Sequence, residues 1–179
     1  MGNKEGSFAV MWIVMGISFL IAVSWNSIPE LKNSIHTLLD PTAGFLLNWN
    51  LTYGMLLVVF LISVLTILIQ KYTTDQEALR ELRKEQKIIQ EEMKKYKEHP
   101  EKLMELQKKQ FEVIPKTMKL SMRSVAYTGV PLILFFRWFN DFFAMIGNPT
   151  FLGFMSWFLF YLISALIFQS LLKKWFKVV

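Results

Sequence analysis

The chain has 179 residues, 53% of them hydrophobic, with sixteen Phe, six Trp and a formal net charge of +6. Such a composition is too apolar for a water-soluble domain of this length, and the apolar residues are gathered into runs, so the chain reads as an all-α integral membrane protein. There is no cysteine, and His36 and His99 lie far apart, which excludes disulfides, thiolate chemistry and Cys or His metal clusters.

The first apolar run, Phe8 to Trp25, is preceded by a single basic residue, Lys4, beside Glu5. It is longer than the usual apolar region of a signal peptide, so residues 1–25 are expected to hold a transmembrane segment, with a cleaved signal as the alternative. In residues 26–50, Ile28, Leu31, Ile35, Leu38 and Leu39 fall on one helical face. This predicts a short amphipathic helix lying at the outer surface and ended by Asp40-Pro41.

Three further runs follow. Leu51 to Ile69, Val125 to Ile146 and Phe151 to Leu172 each approach the ~20 residues needed to cross a bilayer, giving spans at 51–70, 124–146 and 150–172. Gly147-Asn148-Pro149 is expected to make the short turn between the last two. Residues 71–123 carry fourteen Lys and Arg against ten Asp and Glu, and the tail 173–179 adds Lys173, Lys174 and Lys177. Residues 26–50 carry only Lys32 against Glu30 and Asp40. The positive-inside rule then places the charged stretch and the C-terminus in the cytoplasm of a multi-pass protein of the cell membrane. Basic residues that flank spans give no reason to expect direct nucleic-acid readout.

The charged stretch predicts a coiled-coil hairpin. After a cap region at Thr74 and Asp75, Leu79, Leu82, Gln86, Ile89, Met93 and Tyr96 step by three and four. Pro100 then suits the first turn of a second helix, whose apolar positions are Leu103, Leu106, Gln110 or Phe111, Ile114 and Met118. Arms of twenty to twenty-five residues would be roughly 30–38 Å long and pack antiparallel. Pro115 is expected to kink the second arm near the membrane. Met93, Met104, Met118 and Met122 are candidates for capturing apolar chains, because Met adapts to varied partners; a spacer or dimerisation handle is the alternative use of such heptads, and the oligomeric state stays open.

Several short strings carry a family resemblance: Gln70-Lys71-Tyr72-Thr73-Thr74-Asp75-Gln76, His99-Pro100-Glu101-Lys102 at the hairpin tip, Ser121-Met122-Arg123, and Phe136-Arg137-Trp138-Phe139-Asn140. Together with the order of elements over about residues 43–172, they resemble the archaeal YidC-like membrane proteins. These are similar to the insertase subunit of the eukaryotic endoplasmic-reticulum membrane protein complex, within the YidC and Alb superfamily. The resemblance implies a three-helix insertase core with a cytoplasmic hairpin between its first two spans. It also implies a polar groove that accepts nascent hydrophobic segments, and an arginine in that groove, for which Arg137 is the candidate; the last span has no Arg.

Read from the residues alone, Arg137 sits midway along its apolar run, where a charge costs a few kcal/mol. Asp141, four residues on, is within reach to pair with it, and Asn140 extends the polar patch. The alternative is a shorter span with Arg137 snorkelling beside Asp141. Thr66, Gln70, Thr128, Tyr161, Ser164 and Gln169 are further groove candidates, with helix packing as their alternative role. The chain lacks a nucleotide-binding glycine loop and a nucleophile–base set, so neither a cofactor nor an enzymatic reaction is expected. Expected partners are nascent membrane protein segments, the lipid bilayer, and a ribosome or targeting factor. Rival functions are an ion channel, a lipid scramblase, or a receptor whose hairpin docks a targeting factor.

Overall fold

The computed structural model describes residues 8–178, so Lys4 and Glu5 lie outside the described residues. Among the described residues seven α-helices run in order: α1 Phe8–Ser24, α2 Pro29–Leu39, α3 Phe45–Trp49, α4 Leu51–Thr73, α5 Gln76–Lys95, α6 Pro100–Met145 and α7 Trp157–Phe176. Among the described residues the β pairing is an isolated bridge from Phe151 to Met155.

Caps set several boundaries. The Asn50 carboxamide oxygen accepts from Thr52 N and Tyr53 N and starts α4; the Asp75 carboxylate accepts from Glu77 N and Ala78 N and starts α5. Pro100 opens α6, where its missing N–H costs nothing. Asp40-Pro41 does not end the helix as the sequence suggested. The chain widens into a π-turn at Asp40–Gly44 and continues as α3. A wider turn relieves the clash of the proline ring with the preceding turn, and Pro41 has no N–H to lose.

α6 differs most from expectation. The second hairpin arm and the span 124–146 are one helix of 46 residues, with Pro115 and Pro131 inside it. By length and composition, α4 and α7 can each cross a membrane; α1 and the α2–α3 unit, bent by 95°, add a third candidate only if they count as one span. The stretch 124–146 is not among these, because Arg137, Asn140 and Asp141 dilute its last turns. The last span starts later than expected, at Trp157, and residues 151–156 form a loop whose Phe151 stacks on Phe160 at 4.5 Å.

α4 packs chiefly on α7, and α1 on α6. The main core joins Met55, Val58 and Val59 of α4 to Trp138, Phe139 and Phe143 of α6 and Phe160 and Ala165 of α7. Aromatic stacking thickens its end: Phe143 lies 5.5 Å from Trp157 with rings nearly parallel. Where α3 folds back on α4, a Cβ at Gly54 would sit 2.0 Å from the Leu46 carbonyl oxygen, so only glycine allows the crossing.

Candidate functional site

The polar residues near the end of α6 form a cluster different from the one the sequence suggested. Arg137 and Asp141 do not pair. Asp141 instead accepts from the Trp25 indole N–H at 2.7 Å and the Lys32 ammonium at 2.9 Å, with His36 Nε2 at 3.4 Å. His36 Nδ1 lies 3.2 Å from Asp40, whose carboxylate accepts from the Trp138 indole at 2.7 Å. A protonated His36 can donate to both carboxylates, a neutral one to only one of them. The network ties the elbow after α1, helix α2 and helix α6 together. Arg137 lies over the face of Trp25, 5.8 Å from its centroid, with its Nε buried and unpartnered. Asn140 is exposed.

Lys32, His36 and Asp40 were not singled out from the sequence as site residues. Their spacing of four along α2 was the available signal, since it lines them on one face. The indole donors Trp25 and Trp138 carried no such signal: their partners lie 116 and 98 residues away.

A narrow crevice of about 20 Å³ opens between α4 and α6, and Thr66 and Thr128 both line it with Ile62, Leu132 and Phe135. That volume accommodates roughly one water. Both threonine hydroxyls donate within their own helices, to the Ile62 and Ser124 carbonyls, which leaves their lone pairs free to accept. Arg137 is not part of this crevice. It follows Phe135 by two residues, about 200° around the helix, and so faces the α1 side. A larger cavity of about 390 Å³ shares Ile62 and Phe135 with the crevice and is walled by α2, the π-turn and α3.

The remaining groove candidates disperse. Tyr161 is buried among Phe136 and Phe139, and Ser164 is buried in α7. Gln70 sits at the end of α4, where its carbonyl accepts from the Gln76 side chain, and Gln169 is half-buried on α7.

In the hairpin, α5 uses the expected seam, with Leu82, Ile89, Met93 and Tyr96 packed on α6. The second arm keeps Leu106 but then uses Val113 and Leu120, with Thr117 accepting from Gln86 at 3.3 Å. The strict three-and-four alternation from Leu103 through Leu106 and Gln110 leads to these positions. Phe111, Ile114 and Met118 therefore lie outside the seam, because their larger apolar side chains belong to a second stripe. The four methionines divide accordingly. Met93 packs in the hairpin core and Met122 is 4% exposed, whereas Met104 is 71% and Met118 45% exposed. Phe111 and Val125, at 72% and 49%, complete a line of seven-residue steps through 104, 111, 118 and 125. The next step is Leu132, which lines the crevice.

Long apolar helices, a polar network at one end and an amphipathic hairpin at the other define an integral membrane protein of helical type. The family model for integral membrane proteins described as EMC3/TMCO1-like matches residues 36–152, and the chain belongs to that family. It is the family related to the insertase subunit suggested by the sequence strings, and the match starts at His36 and ends before α7. Comparison with curated proteins and with solved structures returns no match.

Proposed function

We propose that this chain is a membrane protein insertase, which takes short hydrophobic segments from the cytoplasm and passes them into the bilayer without nucleotide hydrolysis. The reading rests on one observation: Met104, Phe111, Met118, Val125 and Leu132 form a single line on an unbroken helix, bare over the hairpin and ending at the α4–α6 crevice. Seven-residue steps drift by about 20° per heptad on a straight helix, so the line winds slowly toward the crevice. An apolar segment leaving water gains about 25 cal/mol per Å² it buries, and flexible Met side chains conform to different sequences. The crevice lies where α4, which packs more on α7 than on α6, meets α6. Thr66 and Thr128 there offer acceptors to water and to the polar flank of the segment, whose desolvation is the main barrier. Membership of the EMC3/TMCO1-like family is consistent with this role.

In this reading no bond is made or broken and no cofactor takes part. The basic excess of 71–123 and of the tail supports a cytoplasmic side for both at the cell membrane; in this reading nascent membrane protein segments are the substrates and a ribosome or targeting factor delivers them. Since the chain has no cysteine, His99→Cys gives a single reporter that should react with an impermeant reagent only after cells are opened.

The decisive experiment is reconstitution in liposomes with a short hydrophobic substrate, scored by protection of its tail from protease. Replacing Met104, Phe111 and Met118 together by Ser should lower photocrosslinking to the substrate and its insertion, with the protein still folded. Unchanged insertion in that variant overturns the capture role. Ion or lipid passage through protein liposomes lacking substrate favours the channel or scramblase reading.

A further inference from the structure

The cavity of about 390 Å³ beside the crevice has no part in the mechanism above. One wall is Leu39, Phe45 and Leu46; the other is Val58, Ile62 and Phe135. The hydroxyl in its lining belongs to Thr42 and already donates to the Leu38 and Leu39 carbonyls at 2.9 and 3.2 Å. No charged side chain lines it. Val58 and Ile62 lie seven and eleven residues into α4, roughly 10 and 17 Å from its start, which puts the cavity within the hydrocarbon layer if α4 spans it. At its rim, Leu61 and Phe45 are exposed, so the cavity opens toward the lipid-facing side of α4.

Three physical facts limit the occupant. Water needs two or more polar partners in a buried site, and the side chains of this lining offer one, the Thr42 hydroxyl, and that only as an acceptor. An empty space of this size forfeits the dispersion contacts of its walls. A helix about 10 Å across does not fit in a cavity of this volume. We propose that the cavity is a binding site for a hydrocarbon chain of a membrane lipid, entering past Leu61 and resting between the α2–α3 wall and the α4–α6 floor. The π-turn at Asp40–Gly44 shapes the site, since it sets Pro41, Thr42 and Ala43 along its edge.

The test uses the full chain in phosphatidylcholine nanodiscs doped with a phosphatidylcholine that carries a diazirine on its acyl chain, without any substrate protein. It therefore reads the site independently of insertase activity. Trypsin cuts at Lys4, Lys32 and Lys71, which separates α1 from a peptide spanning 33–71 that holds the α2–α3 wall and the α4 residues of the other wall. Fragment mapping should find label at 39–46 and 58–62 in excess over that at Phe19 and Leu20, which face outward on α1. Ala43→Trp, which fills the cavity, should lose that excess. Leu61→Trp, placed at an exposed position where folding is not at risk, should lose it as well by closing the mouth. Label at the cavity equal to that on α1, or an excess that survives Leu61→Trp, overturns the proposal.

Discussion

The two halves of α6 are held in opposite ways. Beyond Gly129 the helix is enclosed: Trp138, Phe139 and Phe143 are fully buried, α1 approaches until Val14 would lie 3.2 Å from a Cβ at Gly129, and Asp141 and Trp138 tie into the polar network of α2. Before Leu120 the same helix packs on α5 through a seam of single residues per turn, and Met104, Phe111 and Met118 on its far side are exposed. A helix half fixed in an aromatic core and half supported along one stripe can present an apolar surface without unfolding. Buried packing is concentrated at one end and exposed apolar surface at the other.

This contrast predicts a graded series. Trp138→Ala removes a fully buried indole and its hydrogen bond to Asp40, and should cost about 4 kcal/mol, seen as a lowered thermal midpoint of the whole bundle in detergent. Leu106→Ala in the hairpin seam should cost about 2 kcal/mol, read by hydrogen exchange as faster opening of α5 and of residues 100–120, with α4 and α7 unchanged. If the bundle melted with it, the two halves would be one cooperative unit and the comparison would fail. Replacing the seam pair together, Gln86→Leu with Thr117→Val, should change stability by less than about 1 kcal/mol, since both partners of a hydrogen bond are removed at once. Its informative readout is register, because a polar pair at one seam position restricts how two heptad helices align.

The smallest effect belongs to Glu105, whose carboxyl is held below its ordinary range by the hydrogen bond from Lys109 and by that charge. A lowered carboxyl contributes stability above its unfolded pKa and loses it as pH falls through the folded value. This pair is fully exposed, so solvent screening removes nearly all of the benefit. Glu105→Gln should leave the acid side of the stability profile of the hairpin unchanged within error.

Local patterns were legible from the sequence wherever a repeat or a cap had one reading. The α5 seam, the Asp75 cap, the Pro100 start and the apolar lengths of α4 and α7 follow from spacing and side-chain chemistry that act within a few residues. The second arm was ambiguous because α6 carries two apolar stripes, and which one turns toward α5 depends on α5 being there. Pro41 suggested an end to α2, but the fold absorbs it in a π-turn that packs beneath α3. The polar site depended most on tertiary structure. Arg137 and Asp141 share a face and could have paired, yet the elbow after α1 brings Lys32, His36 and Trp25 to Asp141 and leaves Arg137 against the indole. Sequence alone determined an integral membrane helical protein with a hairpin between apolar runs, since hydrophobic length and periodicity are local. Which carboxylate meets which cation, and which stripe stays bare, was decided only when distant helices came together.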